Sequence, residues 1–175
     1  APRWGGDLAA VERAALADAD ALAEGGVGAL MVENYHDAPF WPERVPPLTV
    51  AALALLVAAV RRRQPRLPVG VNVLRNDGLA ALAVAHAAGA DFIRVNILCG
   101  ARVTDQGIIQ GRAHEILRER ARLGGEEGLR PVEERRDEEQ RGAHRSGHGA
   151  GARASRAQDA RRARGRARRC ARLYA

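Results

Sequence analysis

A chain of 175 residues, 46% of them hydrophobic, is long enough to bury one globular core. Its charge is unevenly placed: residues 1–125 carry 14 Arg against 13 acids, whereas residues 126–175 carry 14 Arg against 8 acids and supply nearly all of the net +7. All 28 basic side chains other than His are arginine, which excludes a Schiff-base lysine and a lysine that grips phosphate.

Ala1 to Gly6 reads as a loop, and a strand is expected before it. Asp7 is placed to cap a helix from Leu8 to Glu24, with Leu8, Val11, Ala15, Leu16, Ala19 and Leu22 on one face and Gly25 and Gly26 as its stop. A continuous apolar strand follows over 27–34 and ends in Glu33 and Asn34. The loop from Tyr35 to Pro47 holds four of the prolines and three of the six aromatic residues, a composition suited to binding.

A second helix is expected over 48–63, closed by Arg61, Arg62 and Arg63 and stopped by Pro65 and Pro68. A strand over 69–74 leads to Arg75, Asn76, Asp77 and Gly78, followed by a helix over 79–88 that Gly89 closes. A third strand over 91–98 runs into a polar segment, 100–107. The last helix is expected to start at Ile108 or Gly111 and to end near Leu123.

Fully apolar strands alternating with helices predict a parallel sheet covered by helices, either doubly wound or part of a (β/α)8 barrel. The echo between Val32-Glu-Asn34, Val71-Asn-Val-Leu74 and Val95-Asn-Ile-Leu98 favours the barrel, which needs about eight strands and about 250 residues and is therefore expected to be partial here. Both folds place function at the carboxyl ends of the strands.

Polar residues gather at those ends. Glu33 and Asp105 are the candidate acid/base carboxylates. Asn34, Asp37, Asn72, Arg75, Asn76, Asp77, Arg94, Asn96, Thr104 and Gln106 are the candidate ligand-binding residues, Arg for an anionic group and amides for hydroxyls. A structural role stands beside each: Arg94 pairing with a carboxylate of a neighbouring strand, the Asn residues as caps, Asp77 and Asp105 as helix N-caps. His36 beside Asp37 is a weaker acid/base pair, His86 and His114 lie within helices, and Cys99 reads as a buried, inert thiol.

No glycine-rich phosphate loop opens a helix in the required context, and the cofactor stays unspecified. Cys99 and Cys170 have no metal-ligand spacing, and no metal is assigned; a carboxylate-bound Mg²⁺ is left open. Val50 to Val60, the longest apolar run, is about half the ~20 residues of a membrane span. A cytoplasmic protein is expected, with membrane association at most peripheral.

The segments Val32-Glu-Asn-Tyr-His-Asp-Ala-Pro-Phe40, Gly70-Val-Asn-Val-Leu-Arg-Asn-Asp77, Phe92-Ile-Arg-Val-Asn96 and Val103-Thr-Asp-Gln-Gly-Ile-Ile-Gln-Gly111 together resemble the BtpA/SgcQ family. The resemblance implies a ribulose-phosphate-binding-type (β/α)8 barrel, with a first strand before Ala1 and a C-terminal half after Gly125. Cyanobacterial members are associated with photosystem I biogenesis, and others with sugar metabolism. It implies the twelve polar positions above as the family's motif residues, but not His36 or Cys99.

Two domains are therefore expected. Residues 1–125 form a partial barrel that binds a small phosphorylated or sugar-like ligand, or else act as a non-catalytic assembly factor, with a homo-oligomer as a further option. Residues 126–175 form an Arg/Ala/Gly-rich tail in which Leu129, Val132 and Leu173 are the only branched aliphatics, so it is expected to be disordered or the product of a shifted reading frame. A third option, nucleic-acid binding by that tail, is disfavoured because Tyr174 is its only aromatic residue.

Overall fold

The computed structural model describes residues 6–124, 130–133 and 170–174. In chain order the elements are α1 (Leu8–Glu24), β1 (Ala29–Glu33), a 3-10 turn (Tyr35–Asp37), α2 (Pro47–Arg63), β2 (Val69–Asn72), α3 (Gly78–Ala88), β3 (Phe92–Val95), β4 (Ala101–Thr104), β5 (Gly107–Gln110), α4 (Ala113–Arg122), β6 (Arg130–Glu133) and β7 (Cys170–Tyr174). It is a mixed α/β structure: a parallel sheet of order β6-β3-β2-β1-β7 lies with its helices, and β4 and β5 form a separate antiparallel hairpin.

Local sequence sets the helix ends. Asp7 accepts from Ala10 N at 3.0 Å and opens α1, and Asp77 accepts from Ala80 N at 3.0 Å and opens α3, each side chain satisfying an amide that the first turn leaves unpaired. Gly89 ends α3 in the left-handed region at φ 70°. Pro46 and Pro47 start α2, and three arginines occupy its last turn, where cations suit the helix dipole.

Alternate strand residues Leu30, Val32, Val69, Val71, Ile93 and Val95, with Val73 just past β2, pack with Leu53, Val57 and Val60 of α2, Leu82 and Ala85 of α3 and Ile116 of α4 in one core. Across the surface of α1 and α2, Arg63 grips Asp20 through Nε at 2.9 Å and Nη2 at 2.7 Å, and Gln64 Nε2 adds a third donor at 2.7 Å. The Arg63 hydrogen bond comes first among the causes that hold the Asp20 carboxyl below its ordinary value. A lowered carboxyl contributes stability above its unfolded value and loses it as pH falls through the folded one. Arg63→Ala is therefore expected to return the Asp20 titration toward the ordinary carboxylate range, as read by carboxyl-carbon NMR.

Three expectations are corrected. The strands stop at Glu33, Asn72 and Val95, earlier than the sequence suggests, because past their ends the side chains of Asn34, Asn76 and Asn96 bond to the backbone of adjacent loops, at Leu74, Ile97 and Arg75, where the ladder would otherwise continue. Residues 101–110 are a hairpin and not a loop running into a helix, so α4 begins at Ala113 and not at Ile108 or Gly111. Asp105 accordingly lies in the hairpin turn and caps no helix.

The third correction concerns the tail. Within 126–175, Arg130–Glu133 pairs with β3 and Cys170–Tyr174 with β1, both parallel, so these two segments join the sheet at its edges. An unpaired strand edge offers a row of amides and carbonyls to any extended backbone, whatever its side chains. The two segments contain two of the tail's three branched aliphatics, Val132 and Leu173. The rest of the tail, and the expectation of disorder placed on it, lies outside the described residues.

Candidate functional site

Because parallel strands in register put like-numbered positions on one face, the sheet surface opposite the core is read in rows. Met31, Gly70 and Phe92 form one row, and Glu33, Asn72 and Arg94 the next, at the carboxyl ends of β1, β2 and β3. Gly70 leaves room for the Phe92 ring, whose Cδ2 would lie 2.5 Å from a Cβ added there.

The second row is polar and almost fully buried, with Glu33 at 2%, Asn72 at 1% and Arg94 at 7% exposure. Glu33 Oε1 accepts from Asn72 Nδ2 at 3.0 Å and from Arg94 Nη1 at 2.9 Å. The ion pair thus spans two strand spacings with an amide between. Arg94 Nη2 continues to Asn96 Oδ1 at 3.3 Å. The buried acceptor Asn72 Oδ1 meets no hydrogen-bond donor among the described residues. Leaving such an atom unsatisfied costs about 1–3 kcal/mol, so it calls for an explanation.

Three of the candidate asparagines hold backbone. Asn34 Oδ1 accepts from Leu74 N at 2.7 Å and its Nδ2 donates to Leu74 O at 3.1 Å. Asn76 does the same one strand further on, to Ile97 N at 2.9 Å and Ile97 O at 3.0 Å. Asn96 Nδ2 donates to Arg75 O at 2.8 Å. Each amide stands in for a missing ladder bond just past a strand end and fixes the next loop. Asp37 accepts from Asn34 Nδ2 and Thr49 Oγ1, both at 3.2 Å. Beyond its capping role, Asp77 anchors the aromatic loop by accepting from Val45 N at 3.0 Å.

Around the mouth, the three loops meet. Arg75 Nη2 donates to Asp105 Oδ1 at 2.7 Å, and its guanidinium lies 5.1 Å from the centre of the Phe40 ring. Gln106 Nε2 donates to the Phe40 carbonyl, while its Oε1 is buried without a partner among the described residues. Thr104 Oγ1 donates to Gly107 O at 3.0 Å and accepts from Gln106 N at 3.2 Å, shaping the turn that carries Asp105. The two carboxylates named as acid/base candidates are therefore in different settings: Glu33 is deep in the row, while Asp105 is 66% exposed against Arg75.

A cleft of about 570 Å³ opens beside this mouth, lined among others by Arg44, Asn76, Gly78, Gln110, Arg112 and Ile116. Among the described residues, no group of three or more His, Cys, Asp or Glu could hold a metal ion. Cys99 is exposed rather than buried, since it lies past the strand on the approach to the hairpin. His36 packs edge-on to Tyr35, with ring centres 6.1 Å apart. Thr49 and the Phe40 carbonyl were not legible as site elements, because only the folded loop brings them to Asp37 and Gln106.

These features define an α/β protein that gathers charged and amide side chains at the carboxyl ends of parallel strands. The sequence profile of the BtpA family matches residues 1–130, and the chain belongs to that family. It is 52% identical over 124 residues to "Photosystem I biogenesis protein BtpA" of Synechocystis sp., covering 71% of this chain and 43% of that protein. An uncharacterized protein of Thermococcus kodakarensis is 53% identical over 123 residues, covering 70% of this chain and 46% of the relative. An uncharacterized mitochondrial protein of Caenorhabditis elegans is 33% identical, with 68% and 44% covered. The chain thus spans less than half the length of these curated relatives. No solved structure matches it. No helix among the described residues is long and apolar enough to cross a membrane.

Proposed function

We propose that residues 1–125 are part of a (β/α)8 barrel whose strand ends bind a small polar, phosphorylated or sugar-like ligand in the cytoplasm. The consecutive parallel order of β1, β2 and β3, with a helix between each pair, supports the barrel reading. What carries the binding reading is the unsatisfied acceptor Asn72 Oδ1 inside a buried charged row. A hydroxyl of the ligand would donate to it. Arg75 at the rim meets an anionic group, with Asn72, Arg94, Thr104 and Gln106 completing the contacts. Asn34, Asn76, Asn96, Asp37 and Asp77 hold the loops. Glu33 and Asp105 are the carboxylates available for proton transfer.

The test is calorimetric titration of the full chain with inorganic phosphate and with pentose and hexose phosphates. A sugar phosphate is expected to bind more tightly than phosphate alone. Arg75→Ala is expected to weaken it about tenfold, equivalent to about 1.4 kcal/mol. Heats equal to dilution across the panel would overturn the reading.

A second reading, a non-catalytic assembly factor, draws on the printed name of the Synechocystis relative and on Trp41 and Tyr35, which are 55% and 51% exposed in the aromatic loop. On that reading Trp41→Ala abolishes association with a partner complex, while Arg75→Ala leaves it intact.

A further inference from the structure

The tip of the 101–110 hairpin rests on Arg75 through a contact that is half made. A guanidinium and a carboxylate fit together in a fork of two bonds, yet Asp105 takes one, its Oδ1 accepting from Arg75 Nη2 at 2.7 Å. Arg75 Nε is buried and meets no acceptor among the described residues, and the buried Gln106 Oε1 meets no donor there. Asp105 is largely exposed, so water screens the pair, and exposed pairs contribute little. The two ends of the hairpin are held differently. β4 and β5 form a sheet of their own. Its base is fixed through backbone, Gly111 N to Gly100 O at 2.7 Å and Ala113 N to Leu98 O at 3.1 Å. Its tip is held through side chains, Asp105 on Arg75 and Gln106 on the Phe40 carbonyl.

We infer that Asp105 is a tethered stand-in for the anionic group of the ligand: it holds Arg75 until the ligand arrives, then gives it up, and the hairpin tip is released with it. The inference rests on the proposed binding of a phosphorylated ligand at the strand ends and adds how that site is regulated. A phosphate monoester suits the exchange. It carries about −1.5 to −2 charge at neutral pH and three acceptor oxygens, so it takes Nη2 from Asp105 and satisfies the buried Nε as well. Releasing the turn lets water reach Gln106 Oε1, which removes a second unsatisfied atom. Both changes offset the lost Asp105 contact. The exchange also uncovers a carboxylate beside Arg75, so a group available for proton transfer is freed by the arrival of the ligand itself. By linkage, loosening the tip and binding the anion favour each other by the same factor.

Calorimetric titration of the full chain with inorganic phosphate at constant ionic strength, joined to hydrogen exchange, tests this. Asp105→Asn removes the competing charge and is expected to tighten phosphate binding about two- to fivefold, the factor that an exposed pair commands. Substituting a residue that binds the ligand or shapes its loop would weaken binding instead. In the wild type, saturating phosphate is expected to quicken exchange over residues 101–110 at least about threefold. In Asp105→Asn, exchange there is fast from the start and does not respond to phosphate. Glu43→Gln, which takes a charge from the aromatic loop, is the control for net charge and is expected to leave both measurements unchanged. Unchanged or weaker phosphate binding in Asp105→Asn overturns the inference, as does an equal gain in Glu43→Gln. Slower exchange of the hairpin in phosphate also overturns it, since the hairpin is then a lid that closes. If phosphate binding and hairpin exchange behave as expected but no sugar phosphate binds more tightly than phosphate, the proposed ligand fails and the stand-in role of Asp105 holds. An absence of phosphate binding in both chains overturns both.

Discussion

Replacing Arg94 with leucine is expected to lower the free energy of unfolding by about 3–5 kcal/mol, because it leaves the Glu33 carboxylate buried without its cation. Glu33 is 2% exposed and Arg94 Nη1 lies 2.9 Å from its Oε1, so water cannot take the place of the lost donor. Among the described residues only Asn72 Nδ2 would remain, a neutral donor at 3.0 Å. The size of the loss matters, since a domain of this kind is stable by about 5–15 kcal/mol. Urea denaturation at neutral pH measures it through the midpoint, with the slope unchanged. The pair Glu33→Gln with Arg94→Leu should recover much of the loss, because no isolated charge is then buried. A coupling of about 0.5–3 kcal/mol between the two changes is expected from a complete double-mutant cycle. A cost below about 1 kcal/mol for Arg94→Leu alone would mean that the pair behaves in solution like an exposed one.

Gly111→Ala is the second large effect. A Cβ at this position would lie 2.5 Å from the Leu98 carbonyl carbon and 2.7 Å from Cys99 N. A side chain could rotate away, but these are backbone atoms held in place. Gly111 N donates to Gly100 O at 2.7 Å, and Ala113 N donates to Leu98 O at 3.1 Å. Overpacking of this kind costs about 1–3 kcal/mol, and the rigid obstruction puts Gly111→Ala near the upper end. The base of the hairpin must shift, and with it the turn that carries Asp105 to Arg75 and Gln106 to Phe40. Hydrogen exchange is expected to show lost protection confined to residues 101–110, accompanied by about tenfold weaker ligand binding. Gly100→Ala is the comparison. Its φ of 76° makes any side chain strained, but among the described residues beyond its two chain neighbours no atom lies within 4 Å of its Cβ position. It should cost about 1–2 kcal/mol and leave the turn in place.

Some of the site could be read one residue at a time. Asp77 before Gly78 has the spacing of an N-cap, and it caps α3. The pairing of Arg94 with a carboxylate of a neighbouring strand was one of the two readings open to it, and the carboxylate it meets, Glu33, lies two strands away on β1. The double backbone grip of Asn34 and Asn76 carries no mark in the sequence, because a clamp and a ligand contact call for the same amide. Which of the two an asparagine makes depends on where the next strand ends. The hairpin was hidden for a related reason. Strands of four residues give too little alternation to outweigh the expected length of a helix, and Ile108 and Ile109 fit either state.

What the sequence determined by itself was local and periodic. The helices, the capping aspartates, the three apolar strands and the arrival of polar residues at their ends all follow from propensity, from burial pattern and from turn chemistry within a few neighbours. The tertiary structure alone decided what depends on register between distant segments. It aligned Glu33, Asn72 and Arg94 in one row across three strands, brought the 101–110 hairpin to Phe40 and Arg75, and drew β6 and β7 onto edges that the side chains of the tail gave no reason to cover. Those pairings join residues tens of positions apart. Their energy comes from backbone bonds and excluded water, which no short window of sequence records.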